Sequence, residues 1–210
     1  MNSLVKATTM VSICFASLIL GGCASSRLMD TWQDPSFREG PLHKVLVIAV
    51  RKDAANRRIW EDAFTGALKK YAVEAAPSYS LFPDSLPDTN AVIQSVPINR
   101  FDGILFIRRH PTETAAQYIP GYTTTEQGAP CSYWDKYCES YREIEHPGYV
   151  DSQKVDVNSI DITTTGKNSR LIWSTTSKTP GPVSETDVQR GVVGLVIAEL
   201  AKENIIKAKK

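Results

Sequence analysis

The chain has 210 residues and carries 24 Lys and Arg side chains against 23 Asp and Glu side chains. This balance excludes the global basic field that nucleic-acid-binding proteins use, and it excludes the acidic excess typical of disordered chains. The length allows one domain with a sizeable hydrophobic core.

The first 22 residues have the features of a cleavable signal peptide. Lys6 supplies one positive charge, and residues 7–20 then run without a charge. A helix that spans a bilayer needs about 20 apolar residues, so this run is too short. A charged start, a short apolar run and small residues at its end are typical of secretory signals. We therefore expect residues 1–22 to be removed.

Leu20-Gly21-Gly22-Cys23 resembles a lipobox, the motif at which lipoprotein signal peptidase cleaves. The small glycines let the backbone enter a narrow protease site, and Cys23 supplies the sulfur that takes the diacylglycerol. A further acyl chain such as palmitate on the new amino group would make the anchoring stable. Ala24 follows, where Gram-negative lipoproteins kept in the inner membrane often carry Asp, so the resemblance favours the outer membrane. We expect the domain on the periplasmic side of that membrane rather than at the cell surface. The alternative is an ordinary secreted protein with an incidental cysteine.

Residues 23–42 predict a lipidated tether, because they contain Ser, Pro and Gly and few apolar side chains. Residues 43–210 predict a single α/β domain. Lys44–Val50 is a continuous apolar run, as in a strand buried on both faces of a parallel sheet. Strands are expected at 44–50, 73–79 and 102–109, alternating with helices at 53–71 and 88–96. This alternation indicates right-handed crossovers and parallel strands.

The C-terminal part predicts a different pairing. Val150–Thr164 alternates between apolar and polar residues, with a slip of phase near Asn158 that a β-bulge would explain. Arg170–Thr176 returns as its hairpin partner, and a last helix at 185–206 follows Ser184, a good N-cap. The sequence therefore predicts an α/β fold with a mixed sheet, in two layers or a three-layer-like arrangement. Its order is β-α-β-α-β, then a β-hairpin, then a C-terminal α-helix.

A long aromatic connection is expected at 111–149, and it contains six of the eight tyrosines. It also contains Cys131 and Cys138, which we expect to form a disulfide in an oxidising compartment. Metal binding with His146 or His110 as an extra ligand is the alternative, although six intervening residues are not the usual zinc spacing.

The aromatic side chains near the two cysteines predict a partner surface, formed by Tyr133, Trp134 and Tyr137. Tyr and Trp give large contact area at low entropic cost, and a disulfide would order them before binding. The alternative is that these rings fold back and form a small satellite core.

Basic residues cluster where the predicted parallel strands end. Ligands meet parallel sheets at the carboxyl ends of their strands. We therefore expect an anion contact on one rim, formed by Arg51, Lys52, Arg57, Arg58, Arg108 and Arg109. The alternative is that acidic neighbours such as Asp53, Glu61 and Asp62 neutralise these charges.

No common catalytic motif occurs in the sequence: there is no nucleophile elbow, glycine-rich nucleotide loop or zinc-protease motif. The histidines, His43, His110 and His146, are each more typical of structural or exposed positions than of catalysis. We expect no catalytic residues, no cofactor and no metal. Catalytic groups converge in space rather than in sequence, so an enzyme is not excluded.

The chain resembles a group of uncharacterised bacterial lipoproteins of the outer-membrane type, which combine a lipobox with a Thr-Trp-x-Asp-Pro start to the mature chain. The resemblance covers most of the chain and rests on residues 23–26, 31–35, 44–48, 58–64, 77–79, 102–105 and 118–121. The element order also resembles the N-terminal domain of the Tol translocation protein, at the level of fold alone. Neither resemblance implies a catalytic residue.

Together these features predict a membrane-anchored, non-enzymatic lipoprotein with a binding or scaffolding role in the cell envelope. Its expected partners are the lipid bilayer, through acylated Cys23, and an envelope protein or polymer, with no nucleic acid. The alternative is an envelope hydrolase whose site cannot be recognised from sequence.

Overall fold

The computed structural model describes residues 26–127, 141–165 and 169–208. They form a mixed α/β fold with one seven-stranded sheet, a second sheet of two strands and three α-helices. The predicted α/β class and mixed sheet are confirmed. The strands are β1 Arg27–Gln33, β2 Lys44–Val50, β3 Glu74–Pro77, β4 Gly103–Arg109, β5 Glu113–Ile119, β6 Tyr122–Gln127, β7 Tyr141–His146, β8 Tyr149–Thr164 and β9 Leu171–Pro180. The helices are α1 Ala54–Lys69, α2 Thr89–Asn99 and α3 Glu185–Lys202.

The large sheet has the strand order β1-β9-β8-β4-β2-β3, and β5 pairs with β8 beside this path. β2 is parallel to both β3 and β4, which is the arrangement that helical crossovers produce. β4, β8, β9 and β1 follow one another in antiparallel pairs. No helix within the described ranges is long and apolar enough to cross a membrane.

Each α-helix begins at a polar N-cap residue. The side chains of Asp53, Asp88 and Ser184 accept hydrogen bonds from the backbone N–H three residues further along the chain. Each of these bonds satisfies one of the unpaired N–H groups of a first helical turn, and such a cap stabilises a helix by about 1 kcal/mol.

Two hydrophobic clusters lie on the faces of the large sheet. The larger cluster joins α1 and α3 to the sheet through side chains such as Trp60, Trp173 and Leu200, all fully buried. The smaller one joins α2 to β2 and β4 through Val92, Leu46 and their neighbours. The helices thus lie against a central sheet whose interior strands are apolar on both sides.

The segment expected to be a tether contributes a strand where it is described. β1 pairs antiparallel with β9, and Ser26 Oγ lies 2.8 Å from Thr179 Oγ1. Phe37 and Leu42 from the same segment are buried in the larger cluster. Edge pairing depends on backbone groups rather than on an apolar pattern, so the composition of this segment does not reveal the strand.

The phase slip near Asn158 has a cause other than a bulge. β8 and β9 keep one register from Val155 to Ile162, and their register shift falls between Ile162 and Thr163. Asp156 and Asn158 are 2% and 0% exposed and lie on the same face as Ile160 and Ile162, whereas Val155 and Val157 are buried on the opposite face. Both faces of β8 are therefore covered in this stretch, and the apolar pattern changes face because two core positions hold polar residues.

Candidate functional site

Asp156 and Asn158 belong to a closed ring of polar contacts at the carboxyl ends of β2 and β4. Asn158 Nδ2 donates to Asp156 Oδ1 at 2.7 Å, and Arg51 Nη2 donates to Asn158 Oδ1 at 2.8 Å. Arg109 donates to both Asp156 and Glu185, and Arg51 Nε lies 3.7 Å from Glu185 Oε1. The ring links two parallel strands, β8 and the first turn of α3.

Trp60 of α1 completes this polar ring. Its indole Nε1 donates to Glu185 Oε1 at 2.6 Å, and the guanidinium of Arg51 lies 4.3 Å from the centre of its ring system. Burial lowers the pKa of Arg51 to about 10, opposed by the carboxylate of Glu185. Arg51 Nε is buried without a hydrogen-bond partner in the described structure. Two arginines face two carboxylates here, so the ring is neutral overall.

A cavity of about 710 Å³ opens in front of this ring. Arg51, Lys52 and Arg109 line it, together with Asp53 and His110. Glu185 and Asp156 neutralise the charges of the two arginines. Lys52 is outside the ring, and its charge is balanced by that of Asp53 on the same wall. The wall of the cavity therefore carries several cationic side chains, but their charges are balanced by neighbouring carboxylates.

The structure places the six predicted cations in different surroundings. Arg51, Lys52 and Arg109 share the cavity. Arg108 points to the opposite face of β4, where its Nη1 donates to Asp161 Oδ2 at 2.6 Å. The guanidinium of Arg58 lies 5.4 Å from the ring centre of Tyr79.

Arg57, the sixth cation, is 5% exposed and lies in a separate buried cluster. Its Nε donates to Glu61 Oε1 at 3.1 Å, and its Nη2 donates to Ser78 Oγ at 2.8 Å. Glu61 also accepts from the backbone N–H groups of Ala49 and Tyr79. Glu61 therefore holds α1 against β2, Arg57 and Glu61 together hold it against the 3₁₀ turn at Ser78–Ser80, and Arg57 is enclosed by its partners.

The three histidines lie apart and each has a local partner. His43 at the start of β2 lies 3.6 Å from Asp102, whose carboxylate also accepts two backbone N–H groups. His110 at the other end of the sheet lies 3.0 Å from Ser159 Oγ, and His146 lies 3.0 Å from Thr124 Oγ1. Among the described residues, no carboxylate bonds the second ring nitrogen of His110, and no three metal-binding side chains cluster together.

The predicted aromatic connection is a long β-hairpin in its described parts. β5 pairs with the first half of β8, and β6 pairs with β7, in one unbroken register. Glu113 lies opposite Val155 and Gln127 lies opposite Tyr141, so both strands advance by the same 14 residues. We call residues 113–127 and 141–155 the arm. At about 3.3 Å per residue, the arm is roughly 45 Å long if it is straight.

Pro-Gly pairs face each other in the middle of the arm, at 120–121 and 147–148. The strands approach closely there, because a Cβ atom on Gly121 would lie 2.7 Å from Gly148 N and from His146 O. The hydroxyl of Tyr118 lies against Gly148. These breaks separate the β5–β8 pairing, which belongs to the large sheet, from the two-stranded sheet without changing the register.

Large aromatic side chains surround the middle of the arm and face solvent. Tyr118, Tyr122 and Tyr149 are 65%, 62% and 60% exposed, and Val150 opposite Tyr118 is 68% exposed. The ring of Tyr122 stacks on His146 with centroids 4.5 Å apart. These three tyrosines belong to the expected aromatic connection but not to the predicted partner surface, although the Pro-Gly pairs that flank them could have marked a hairpin.

Several predicted site residues lie outside the described residues. They are the lipidated Cys23, the expected disulfide of Cys131 and Cys138, and the aromatic residues Tyr133, Trp134 and Tyr137.

No protein-family model and no curated protein matches the chain. Some solved structures are similar to it. A PelC dodecamer from Paraburkholderia phytofirmans is 10% identical, and the match covers 88% of this chain and 99% of that one with a TM-score of 0.44. A point variant of the same PelC gives 11% identity, 88% and 98% coverage and a TM-score of 0.43. A PDZ domain protein from Parabacteroides distasonis gives 10% identity, 96% and 41% coverage and a TM-score of 0.38. Likenesses this weak carry no argument about function.

Proposed function

We propose that this chain is a lipid-anchored lipoprotein of the bacterial envelope whose arm binds another envelope component. The anchor rests on the sequence of residues 1–23, where a charged start, a short apolar run and the lipobox follow one another. Ala24 favours the outer membrane. In this proposal the folded body combines the expected β-α-β-α-β unit, hairpin and final helix with the edge strand β1, and the arm extends from it through β5, β6, β7 and the first part of β8.

The observation that carries the binding role is the exposure of the arm's aromatic side chains. Tyr118 and Tyr149 are each at least 60% exposed. Tyr118 lies two residues before the first Pro-Gly pair, and Tyr149 directly follows the second. Tyr is enriched at the energetic centres of protein interfaces. An isolated two-stranded ribbon is marginally stable in water, so a partner that covers this ribbon also stabilises it.

The cavity supports this function less well than the arm does. Its arginines already have carboxylate partners within the fold, and its remaining charges balance. A binding site for an anion would need cations that the fold leaves uncommitted. The ring therefore has a structural role in this proposal, and the arm has the binding role.

The anchor is tested by replacing Cys23. A Cys23→Ser chain should take up no lipid label and should accumulate as the unprocessed precursor, whereas the natural chain should fractionate with the outer membrane. Normal processing of the variant would exclude the lipoprotein function.

The binding role is tested by a Tyr118→Ala, Tyr149→Ala double variant in intact cells, with chemical cross-linking to capture partners. Because both side chains are exposed, the free energy of unfolding should change by less than about 1 kcal/mol while partner capture is lost. The matched control is Ile98→Ala, which truncates a side chain that is 79% exposed on α2. If the double variant captures partners as well as the control does, the arm is not the binding surface.

The disulfide proposal concerns Cys131 and Cys138, which lie between β6 and β7. Thiol counting under non-reducing conditions should find both residues unreactive in protein taken from cells, because the envelope is oxidising. Two freely reactive thiols would show that no disulfide orders this end of the arm.

A further inference from the structure

The outer edge of β5, in the arm, continues the outer edge of β4, which another strand covers in the large sheet. At Val155, β9 pairs with one side of β8 and β5 pairs with the other. β4 pairs with the same side of β8 as β5 does, since β9 occupies the opposite side along Asn158–Ile162. β4 and β5 are therefore successive stretches of one strand line, interrupted at residues 110–112.

β2 covers the outer edge of this line along β4 and ends at Val50. Along β5, no described strand takes its place. Within the described parts of the chain, the backbone N–H and C=O groups of β5 that point away from β8 thus have no strand partner. A row of unpaired backbone groups of this kind is a template for strand addition.

The two edges of the arm differ in the features that prevent strand addition. Natural proteins protect exposed edges with charged side chains, proline or bulges. The edge formed by residues 141–155 carries five charged side chains, at positions 142, 143, 145, 151 and 154. The edge formed by 113–127 carries only Glu113 and Glu126, near its ends. β5 pairs with β8 without a register shift and contains no Lys, Arg or Pro.

β5 is also complementary to itself. If two β5 strands pair antiparallel about Ala116, Glu113 of each copy lies opposite Ile119 of the other, and Thr114 lies opposite Tyr118. Aromatic residues opposite β-branched residues stabilise antiparallel pairs, and no like charges meet. Parallel pairing in register would place one Glu113 beside the other, which is unfavourable.

We propose that β5 pairs antiparallel with β5 of a second copy of this chain, with Ala116 at the two-fold axis. This inference rests on the proposed role of the arm as the binding surface and names its partner. Two copies anchored by lipid in one membrane would meet at a high effective concentration, which favours such pairing. The proposed dimer places the exposed tyrosines of both arms beside the shared strand pair.

The test is cysteine cross-linking of the full chain in cells. In an Ala116→Cys chain, the new thiols face each other across the axis, so mild oxidation should link two chains into a product of twice the mass. The matched control is Ser152→Cys, because Ser152 lies directly opposite Ala116 on β8 and is also exposed. This control should give no more linked product than the natural chain does, and circular dichroism should show that both variants are folded.

The register has its own test with two differently tagged copies. Ala115→Cys in one copy should link to Gln117→Cys in the other, since these positions lie opposite in the proposed pair. A chain with Ala116→Lys should elute from size exclusion in detergent with half the protein mass of the natural chain, whereas Ser152→Lys should leave the mass unchanged.

The proposal is overturned if Ala116→Cys gives no linked pair, if Ser152→Cys links equally well, or if the linked product contains a different protein. In those cases, loss of capture in the Tyr118→Ala, Tyr149→Ala variant would still support the arm as the binding surface for another partner. If that variant keeps its capture and Ala116→Cys still links, self-pairing stands without the aromatic contact.

Discussion

Glu61 is a fully buried carboxylate whose replacement should strongly destabilise the fold. Its Oε1 accepts from Ala49 N, Arg57 Nε and Ser78 Oγ, at 3.0, 3.1 and 2.6 Å. Its Oε2 accepts from Tyr79 N at 2.9 Å. Glu61→Gln keeps the volume of the side chain but replaces one acceptor oxygen with an NH₂ group that faces donors.

The expected loss follows from what the substitution leaves behind. Arg57 is 5% exposed, and without Glu61 its charge is buried with no carboxylate partner. Breaking a buried ion pair in this way costs about 3–5 kcal/mol. Since small domains are stable by about 5–15 kcal/mol, the variant should lose a third or more of its stability.

Urea denaturation followed by circular dichroism measures this loss. An unchanged dependence of the free energy of unfolding on urea concentration would show that the folded and unfolded states keep their compactness. The control is Asp62→Asn, which changes the exposed neighbour whose carboxylate accepts from the hydroxyl of Tyr79. That exposed contact contributes about 1 kcal/mol or less. Equal, small losses in both variants would refute the reasoning that Arg57 depends on Glu61.

Three further comparisons test other parts of the fold. Arg109→Met should cost about 1.5–3 kcal/mol because it leaves buried Asp156 short of a charged donor, whereas Arg108→Met removes a half-exposed ion pair and should cost under about 1 kcal/mol; equal losses in urea titrations would contradict this. Gly121→Ala should speed hydrogen exchange in the arm because its Cβ meets the facing backbone. Gly66→Ala has open space around it and should stabilise α1 by about 0.5–1 kcal/mol. Unchanged exchange in the arm would show that its strands are not held so close. Hydrogen bonds from Ser36 lower the pKa of Asp34 below 3.8, so its contribution to stability is present above that pH and is lost as the pH falls through the lowered pKa. Asp34→Asn should therefore flatten the acid limb of the stability curve, and an identical limb would argue against that contribution.

The elements with strong local signals could be predicted from the sequence. The apolar run at Lys44–Val50 is β2, and the helices begin after the polar caps at Asp53 and Ser184. These features depend on burial and on backbone groups within a few residues of one another. Such elements can therefore be recognised from the local sequence alone.

The strands β5, β6 and β7 of the arm could not be predicted from periodicity because none of their described side chains is buried. β5 is exposed along almost its whole length, so no apolar alternation marks it. The Pro-Gly pairs at 120–121 and 147–148 interrupt the strands, yet the hairpin keeps a constant register across them. Pairing of this kind is determined by the partner strand and not by local pattern.

The six cations of the expected rim do not lie together, for reasons that differ from those in the arm. Successive residues of a strand point to opposite faces, so Arg108 and Arg109 could not both line one cavity, and the strand assignment alone implies this. The burial of Arg57 depends on Ser78 and Glu61, which approach it only in the folded chain. Its surroundings could not be derived from the sequence.

Site-specific photo-cross-linking in intact cells tests the central claim most directly. A photoreactive residue at Gln117, exposed on β5, is compared with one at Lys69, exposed at the end of α1. The proposed function predicts a discrete adduct from position 117 and none from position 69, and self-pairing predicts that the adduct has the mass of two chains. An adduct from position 69 alone, or none from either position, would contradict the arm as the binding surface.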